Sequence, residues 1–258
     1  MIESKTRNCS LDTYFIDTNK KRPVVIICPG GAYEYRSPRE AEPVARAFNQ
    51  NSIHAVVLNY TVEDEELGDT PLLDLSWATS YLRVHAEELA IESEQIYVCG
   101  FSAGGHLAAS LGVFWNDEDR FPNSSYRQEH KPNGMILCYP VISAGEYAHK
   151  GSFQRLTKDS EKQEAYSLEK KVTKDTVPCF IWHTMTDATV SVQNTLLFIE
   201  ALSQYEIPCE AMLFPKGPHG MSLATKETEA REFHNYADRH VARWFAQCID
   251  WVRQQEES

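Results

Sequence analysis

The chain has 258 residues, a mass of 29.4 kDa, a net charge of −12 and a pI near 5.2. A chain of this size buries about three quarters of its unfolded surface, which supports one large α/β domain or two small ones. The acidic balance excludes a nucleic-acid backbone or an anionic membrane as the main partner, because both call for clustered Lys and Arg.

No segment reads as membrane-spanning. The strongest apolar run, Val24 to Cys28, is far short of the about 20 residues a spanning helix needs. The first residues, Met1 to Arg7, show no apolar stretch behind a basic start, so no secretory leader is expected. The seven cysteines include no C-x-x-C pair. Cys28, Cys99, Cys138, Cys179 and Cys209 sit in or beside apolar runs, where reduced thiols act as small hydrophobes. The expectation is a reducing cytoplasm, with neither a disulfide framework nor a metal site.

Strand-like runs alternate with amphipathic stretches along the chain. Val24–Cys28 predicts a buried strand stopped by Pro29-Gly30-Gly31, and Glu40–Gln50 predicts a helix. Ile53–Leu58 is the next strand. Leu72–Leu89 repeats Leu75, Ala78, Leu82, Ala86 and Leu89 at helical spacing. Ile96–Cys99 is a third strand, followed by a helix of small residues after Ala103. Met135–Tyr139, Cys179–Trp182 and Cys209–Phe214 complete the strands. Helices are predicted at Gln193–Tyr205 and from about Glu229 to Arg253. The strands are continuously apolar, as in parallel sheets covered on both faces, so the βα rhythm predicts one doubly wound α/β domain over residues 1–258. The segment 140–178 is too long and polar for a plain loop and reads as a small helical insertion, either a lid or a surface excursion.

Sites in such sheets lie at the carboxyl ends of strands, so the loops there are where chemistry is expected. Gly100-Phe101-Ser102-Ala103-Gly104 is a G-x-S-x-G sequence between a predicted strand and a small-residue helix. A turn that sharp strains the serine backbone and needs residues without bulky side chains two places on either side. Ser102 is therefore the candidate nucleophile. Pro29-Gly30-Gly31-Ala32-Tyr33 follows the first strong strand, and its backbone can supply N–H donors to an oxyanion. Gly31 and Ala32 are the candidates there, with Ala103 as the donor after the nucleophile. Asp187 follows the strand Cys179–Trp182, and His219 lies in a loop shaped by two prolines and two glycines after the strand Cys209–Phe214. They fit the order nucleophile, acid, base. His234 and His240 fall on the predicted terminal helix, His106 reads as a core or supporting histidine, and His183 as a pocket or packing residue. Glu63–Glu66 reads as a solvated loop.

These motifs, with Trp182-His183-Thr184 and the segment Gly145-Glu146 to His149 with Gly151-Ser152, resemble the α/β-hydrolase esterases, in particular the compact group related to acetyl-xylan and feruloyl esterases. The likeness runs from about Pro23 to Trp251. It implies an α/β-hydrolase fold, a mostly parallel twisted sheet with helices on both faces and a short lid in 140–178. It also implies a cofactor-free serine esterase acting on short acyl esters, often O-acetyl groups on small carbohydrates. An arylformamidase of the same fold is the alternative, and a non-catalytic binding protein would be expected to have lost a triad residue. A small-molecule ester is the expected partner. The sequence leaves the oligomeric state open, a homodimer included.

Overall fold

Val24 to Cys28 alternate between two separate apolar cores, and this fixes the architecture. Val24, Ile26 and Cys28 belong to one core, Val25 and Ile27 to the other, and all five are fully buried. A strand apolar on both sides must be covered by helices on both sides. The computed structural model describes residues 1–17, 20–121 and 127–255.

Eight strands form one sheet: β1 (Ile2–Glu3), β2 (Ser10–Tyr14), β3 (Arg22–Cys28), β4 (His54–Asn59), β5 (Ile91–Phe101), β6 (Gly134–Cys138), β7 (Cys179–Thr184) and β8 (Cys209–Phe214). Their spatial order is β1-β2-β4-β3-β5-β6-β7-β8. β3 to β8 pair in parallel, while β2 runs antiparallel to β4 and to β1. The fold is a mostly parallel, open α/β sheet.

Helices α1 (Glu42–Gln50), α2 (Thr70–Val84), α3 (Ala103–Phe114), α4 (Arg127–His130), α5 (Lys150–Leu156), α6 (Gln193–Gln204) and α7 (Arg243–Gln255) complete the regular structure. Phe48 of α1 and Trp244 and Val252 of α7 fill the core on one face. Leu75 of α2, Leu107 and Leu111 of α3 and Phe198 of α6 fill the other. Trp244 stacks on Trp182 of β7 at 5.3 Å, which ties α7 to the strand beside the β8 edge.

Two expectations need correction. The terminal helix begins at Arg243, not near Glu229. Residues 226–242 instead form two 3-10 turns, a bridge from Ala230 to Asn235 and a turn around Asp238. His234 and His240 are therefore not helical, and His234 adopts a left-handed backbone at φ 53°. The helix predicted to Leu89 ends at Val84, where the His85 ring stacks on Tyr81 and lies 2.8 Å from the Tyr81 carbonyl.

Segment 140–178 contains α5 and 3-10 turns at Lys162–Tyr166 and Leu168–Lys170. It is pinned down at many points. Phe153 and Leu168 are fully buried. Leu67 and Gly68 donate to the Arg155 and Leu156 carbonyls, and the Arg155 guanidinium donates to the Val62 and Asp64 carbonyls. The exposed acidic loop Glu63–Glu66 is thus the strip that this segment grips, with Glu66 accepting from Thr157 at 2.7 Å. All seven cysteines are free thiols. Among the described residues no helix is long and apolar enough to cross a membrane.

Candidate active site

Ser102 sits between β5 and α3 at φ 55° and ψ −118°, outside the regions an L-residue prefers. The glycines around it explain how the turn can be this sharp. A Cβ on Gly100 would collide with the Gly104 carbonyl, and one on Gly104 with the Cys28 and Pro29 carbonyls. Only hydrogen side chains let α3 descend onto β3 and β5. The Ser102 amide donates to Cys138 of β6, and the Ser102 carbonyl accepts from Val141 and His106. The elbow is therefore tied both to the neighbouring strand and to its own helix.

His219, in the loop after β8, places Nε2 2.8 Å from Ser102 Oγ. Its Nδ1 lies 2.6 Å from Asp187 Oδ2. The sequence separations of 117 and 32 residues close into one chain of hydrogen bonds at the carboxyl end of the sheet. The Asp187 side chain is fully buried. Its Oδ1 accepts from the Thr189 and Val190 amides at 2.9 Å each, and Oδ2 also lies 3.3 Å from His183 Nε2. Burial raises the carboxyl pKa, but the bonds from His183 and His219, the His219 charge and the Val190 amide outweigh it. The group sits well below the usual carboxylate range. Asp187 is thus an anion hydrogen-bonded to the His219 imidazole.

His183 supplies the support that the sequence left undecided. Fully buried, it places Nδ1 2.8 Å from Thr195 Oγ1 and Nε2 3.0 Å from the Val190 carbonyl. A hydrogen on Nε2 serves both that carbonyl and Asp187, and Nδ1 accepts from Thr195. His106 is a core residue of the other type. Its Nε2 lies 2.9 Å from the Tyr166 carbonyl and its Nδ1 2.9 Å from Tyr33 Oη.

The loop after β3 lies directly beside Ser102. A Cβ on Gly30 would stand 3.1 Å from Ser102 Cβ. Gly31, Ala32 and Tyr33 all have positive φ, at 133°, 57° and 62°, and the turn closes through Glu34 and Tyr35 amides on the Gly31 carbonyl. Among the described residues, the N–H groups of Gly31, Ala32 and Ala103 donate to no protein acceptor. Unengaged amides beside a serine hydroxyl, at a helix N-terminus, can receive a developing negative charge.

Glu40 went unnoticed in the sequence and braces this arrangement. It is buried, accepts the Gly30 amide at 2.8 Å and accepts Tyr139 Oη at 2.7 Å. Tyr139 in turn packs its ring edge-on against His219 at 5.0 Å. One buried carboxylate thereby connects the loop after β3 to the ring beneath the histidine. Asn235 is also buried and donates to the His219 and Gly220 carbonyls, which fixes the histidine loop from outside. These contacts join residues between 10 and 99 positions apart and leave no periodic signal in the sequence.

Ser102, His219, Gly31 and Ala32 open onto a cleft of about 400 Å3, whose wall also includes Tyr35, Arg39 and His149. Among the described residues no cluster of three or more His, Cys, Asp or Glu is arranged to hold a metal ion.

A family model described as BD-FAE matches residues 11–202, which include Ser102 and Asp187 but stop short of His219. An endo-1,4-β-xylanase B from Butyrivibrio fibrisolvens is 36% identical over 225 residues, 84% of this chain and 35% of that protein. An acetylxylan esterase from Xylanibacter ruminicola is 28% identical over 222 residues, 82% of this chain and 43% of that protein. The chain therefore spans well under half the length of these two curated relatives. Among solved structures, an acetyl ester-xyloside bifunctional hydrolase from Caldicellulosiruptor lactoaceticus superposes with a TM-score of 0.83 at 36% identity, covering 95% of this chain and 87% of that one. With the family model matching about three quarters of its length and a solved relative nearly all of it, the chain belongs to the BD-FAE family of α/β hydrolases.

Proposed function

We propose that the protein is a serine carboxylic-ester hydrolase that removes short acyl groups, above all O-acetyl groups from small carbohydrates of the xylo-oligosaccharide type. The observation that carries this reading is the chain Ser102 Oγ–His219 Nε2 at 2.8 Å and His219 Nδ1–Asp187 Oδ2 at 2.6 Å beside unengaged amides. Ser102 Oγ attacks the ester carbonyl while His219 Nε2 takes the hydroxyl proton. Asp187 holds the resulting imidazolium, and the Gly31, Ala32 and Ala103 amides hold the oxyanion. Collapse expels the alcohol, which receives its proton from His219. Water, deprotonated by His219, then cleaves the acyl-Ser102 ester and restores the hydroxyl.

The acetyl preference draws support from the names of the acetylxylan esterase and acetyl ester-xyloside hydrolase relatives, and the xylan-type alcohol from those two and the xylanase. A site formed beside a pinned 140–178 segment suits a small acyl group on a bulky alcohol. The free cysteines favour a reducing compartment, where the substrate would be a soluble fragment. The test is a panel of 4-nitrophenyl esters from acetate to octanoate run beside acetylated xylo-oligosaccharides and N-formylkynurenine. The reading expects acetate to exceed octanoate at least tenfold in kcat/KM and acetylated xylo-oligosaccharides to be turned over. Selective hydrolysis of N-formylkynurenine would replace it with the formamidase alternative.

A further inference from the structure

His149 stands in the cleft wall with Ser102 and His219, contributed by the 140–178 segment at the start of α5. It is half-buried, and its Nδ1 lies 2.9 Å from Ser152 Oγ. Ser152 is itself almost fully buried at 1% exposure, and among the described residues His149 is the hydrogen-bond partner of its hydroxyl. A buried hydroxyl needs an acceptor for its proton, and His149 Nδ1 is the one within reach. Nδ1 is therefore the accepting nitrogen, and the imidazole proton sits on Nε2. Among the described residues, no protein group bonds to that Nε2–H. Burial, followed by the nearby His219 charge, lowers the His149 pKa, and this outweighs Asp187 and Glu34, which pull the other way. The lowered pKa favours the neutral ring at pH 7.

The chemistry of an acetyl ester leaves this donor few partners. The carbonyl oxygen is claimed by the Gly31, Ala32 and Ala103 amides, and the acetyl methyl has no acceptor. What remains is the alcohol. We infer that His149 is a specificity-determining residue whose Nε2–H hydrogen-bonds a hydroxyl or ring oxygen of the polyhydroxy alcohol beside the scissile ester, with Ser152 fixing its tautomer. This rests on the esterase reading above and deepens it.

The experiment compares wild type, His149→Phe, His149→Asn and Ser152→Ala on acetylated xylobiose and on 4-nitrophenyl acetate, whose leaving group offers no hydroxyl next to the ester. The readout is the ratio of the two kcat/KM values, which a general packing defect would leave unchanged. Loss of one hydrogen bond to substrate predicts about a tenfold fall in that ratio for His149→Phe. His149→Asn, which keeps an N–H donor, is expected to recover part of it, and Ser152→Ala to lie between the two. An unchanged ratio in His149→Phe overturns the inference, as does a wild type that turns over 4-nitrophenyl acetate but no sugar acetate. A wild type inactive on every ester overturns the esterase reading itself.

Discussion

Replacing Asp187 with Asn would change one atom in a carboxylate that accepts four hydrogen bonds, two on each oxygen. The carboxylate accepts the Thr189 and Val190 amides on Oδ1 and the His219 and His183 rings on Oδ2. An amide has one oxygen, so its NH2 must face one pair of donors. If the oxygen keeps the two backbone amides, the NH2 faces His219 Nδ1, which then has to accept. The imidazole proton moves to Nε2, the nitrogen that should receive the Ser102 proton 2.8 Å away. A histidine locked in that tautomer cannot act as the base. The turned amide fares no better, because it sets NH2 against two backbone N–H groups in a fully buried site. The expected loss is about 10³–10⁴-fold in kcat, the size that follows when a triad aspartate becomes an amide. Stability should also fall at neutral pH. A carboxyl whose pKa is depressed on folding contributes stability that is fully present above its ordinary value of 3.8 and is lost as pH drops through its folded value. The assay is 4-nitrophenyl acetate hydrolysis at pH 7.5, beside thermal unfolding at pH 7 and pH 3. A folded Asp187→Asn protein within tenfold of wild type would refute the reasoning.

Two further outcomes follow from buried groups. His106 is wholly enclosed, and burial, reinforced by Arg120, lowers its pKa from 6.5 to about 4, against the pull of the Tyr166 carbonyl. The unfolded chain therefore binds a proton that the fold refuses, so His106 makes the protein lose about 3 kcal/mol as pH falls from 6.5 to 4. Urea unfolding of wild type and His106→Gln across that range should show a shallower loss in the variant, and parallel curves would count against this. Gly104→Ala drives a Cβ into the Cys28 and Pro29 carbonyls, backbone atoms that cannot yield without parting α3 from β3. A stability loss above about 3 kcal/mol is expected, read as a collapse in soluble yield and melting temperature. A normal melting temperature would mean the elbow is looser than described.

The parts of this fold that could be read from the sequence are those carried by short-range pattern. The six parallel strands announce themselves as apolar runs, and Gly100, Gly104 and Ser102 declare the elbow because steric need fixes residue types at fixed offsets. The two antiparallel strands β1 and β2 at one side of the sheet pass unseen. Ile2–Glu3 is too short for any period, and Ser10–Tyr14 mixes polar and apolar residues in a strand that is only partly buried. Residues 229–242 contain good helix formers, yet they unwind because tertiary demands prevail. Asn235 is needed against the His219 and Gly220 carbonyls, and the Asp238 side chain caps the His240 and Val241 amides just before α7. Glu40 was illegible for a different reason, since its partners Gly30 and Tyr139 become neighbours only once β3 and β6 lie in one sheet. His183 stood in plain view four residues before Asp187, but a strand ending in a loop does not reveal that both side chains turn inward to meet.

The most direct test of the central claim is covalent capture of the nucleophile. Wild-type protein treated with a fluorophosphonate and digested for peptide mass mapping should carry one adduct, located on Ser102, with hydrolysis of 4-nitrophenyl acetate lost in step with labelling. Ser102→Ala should take up no adduct and show no turnover above background while keeping the wild-type melting temperature. An adduct on another residue, or a folded Ser102→Ala protein that still turns over the ester at the wild-type rate, would contradict the account.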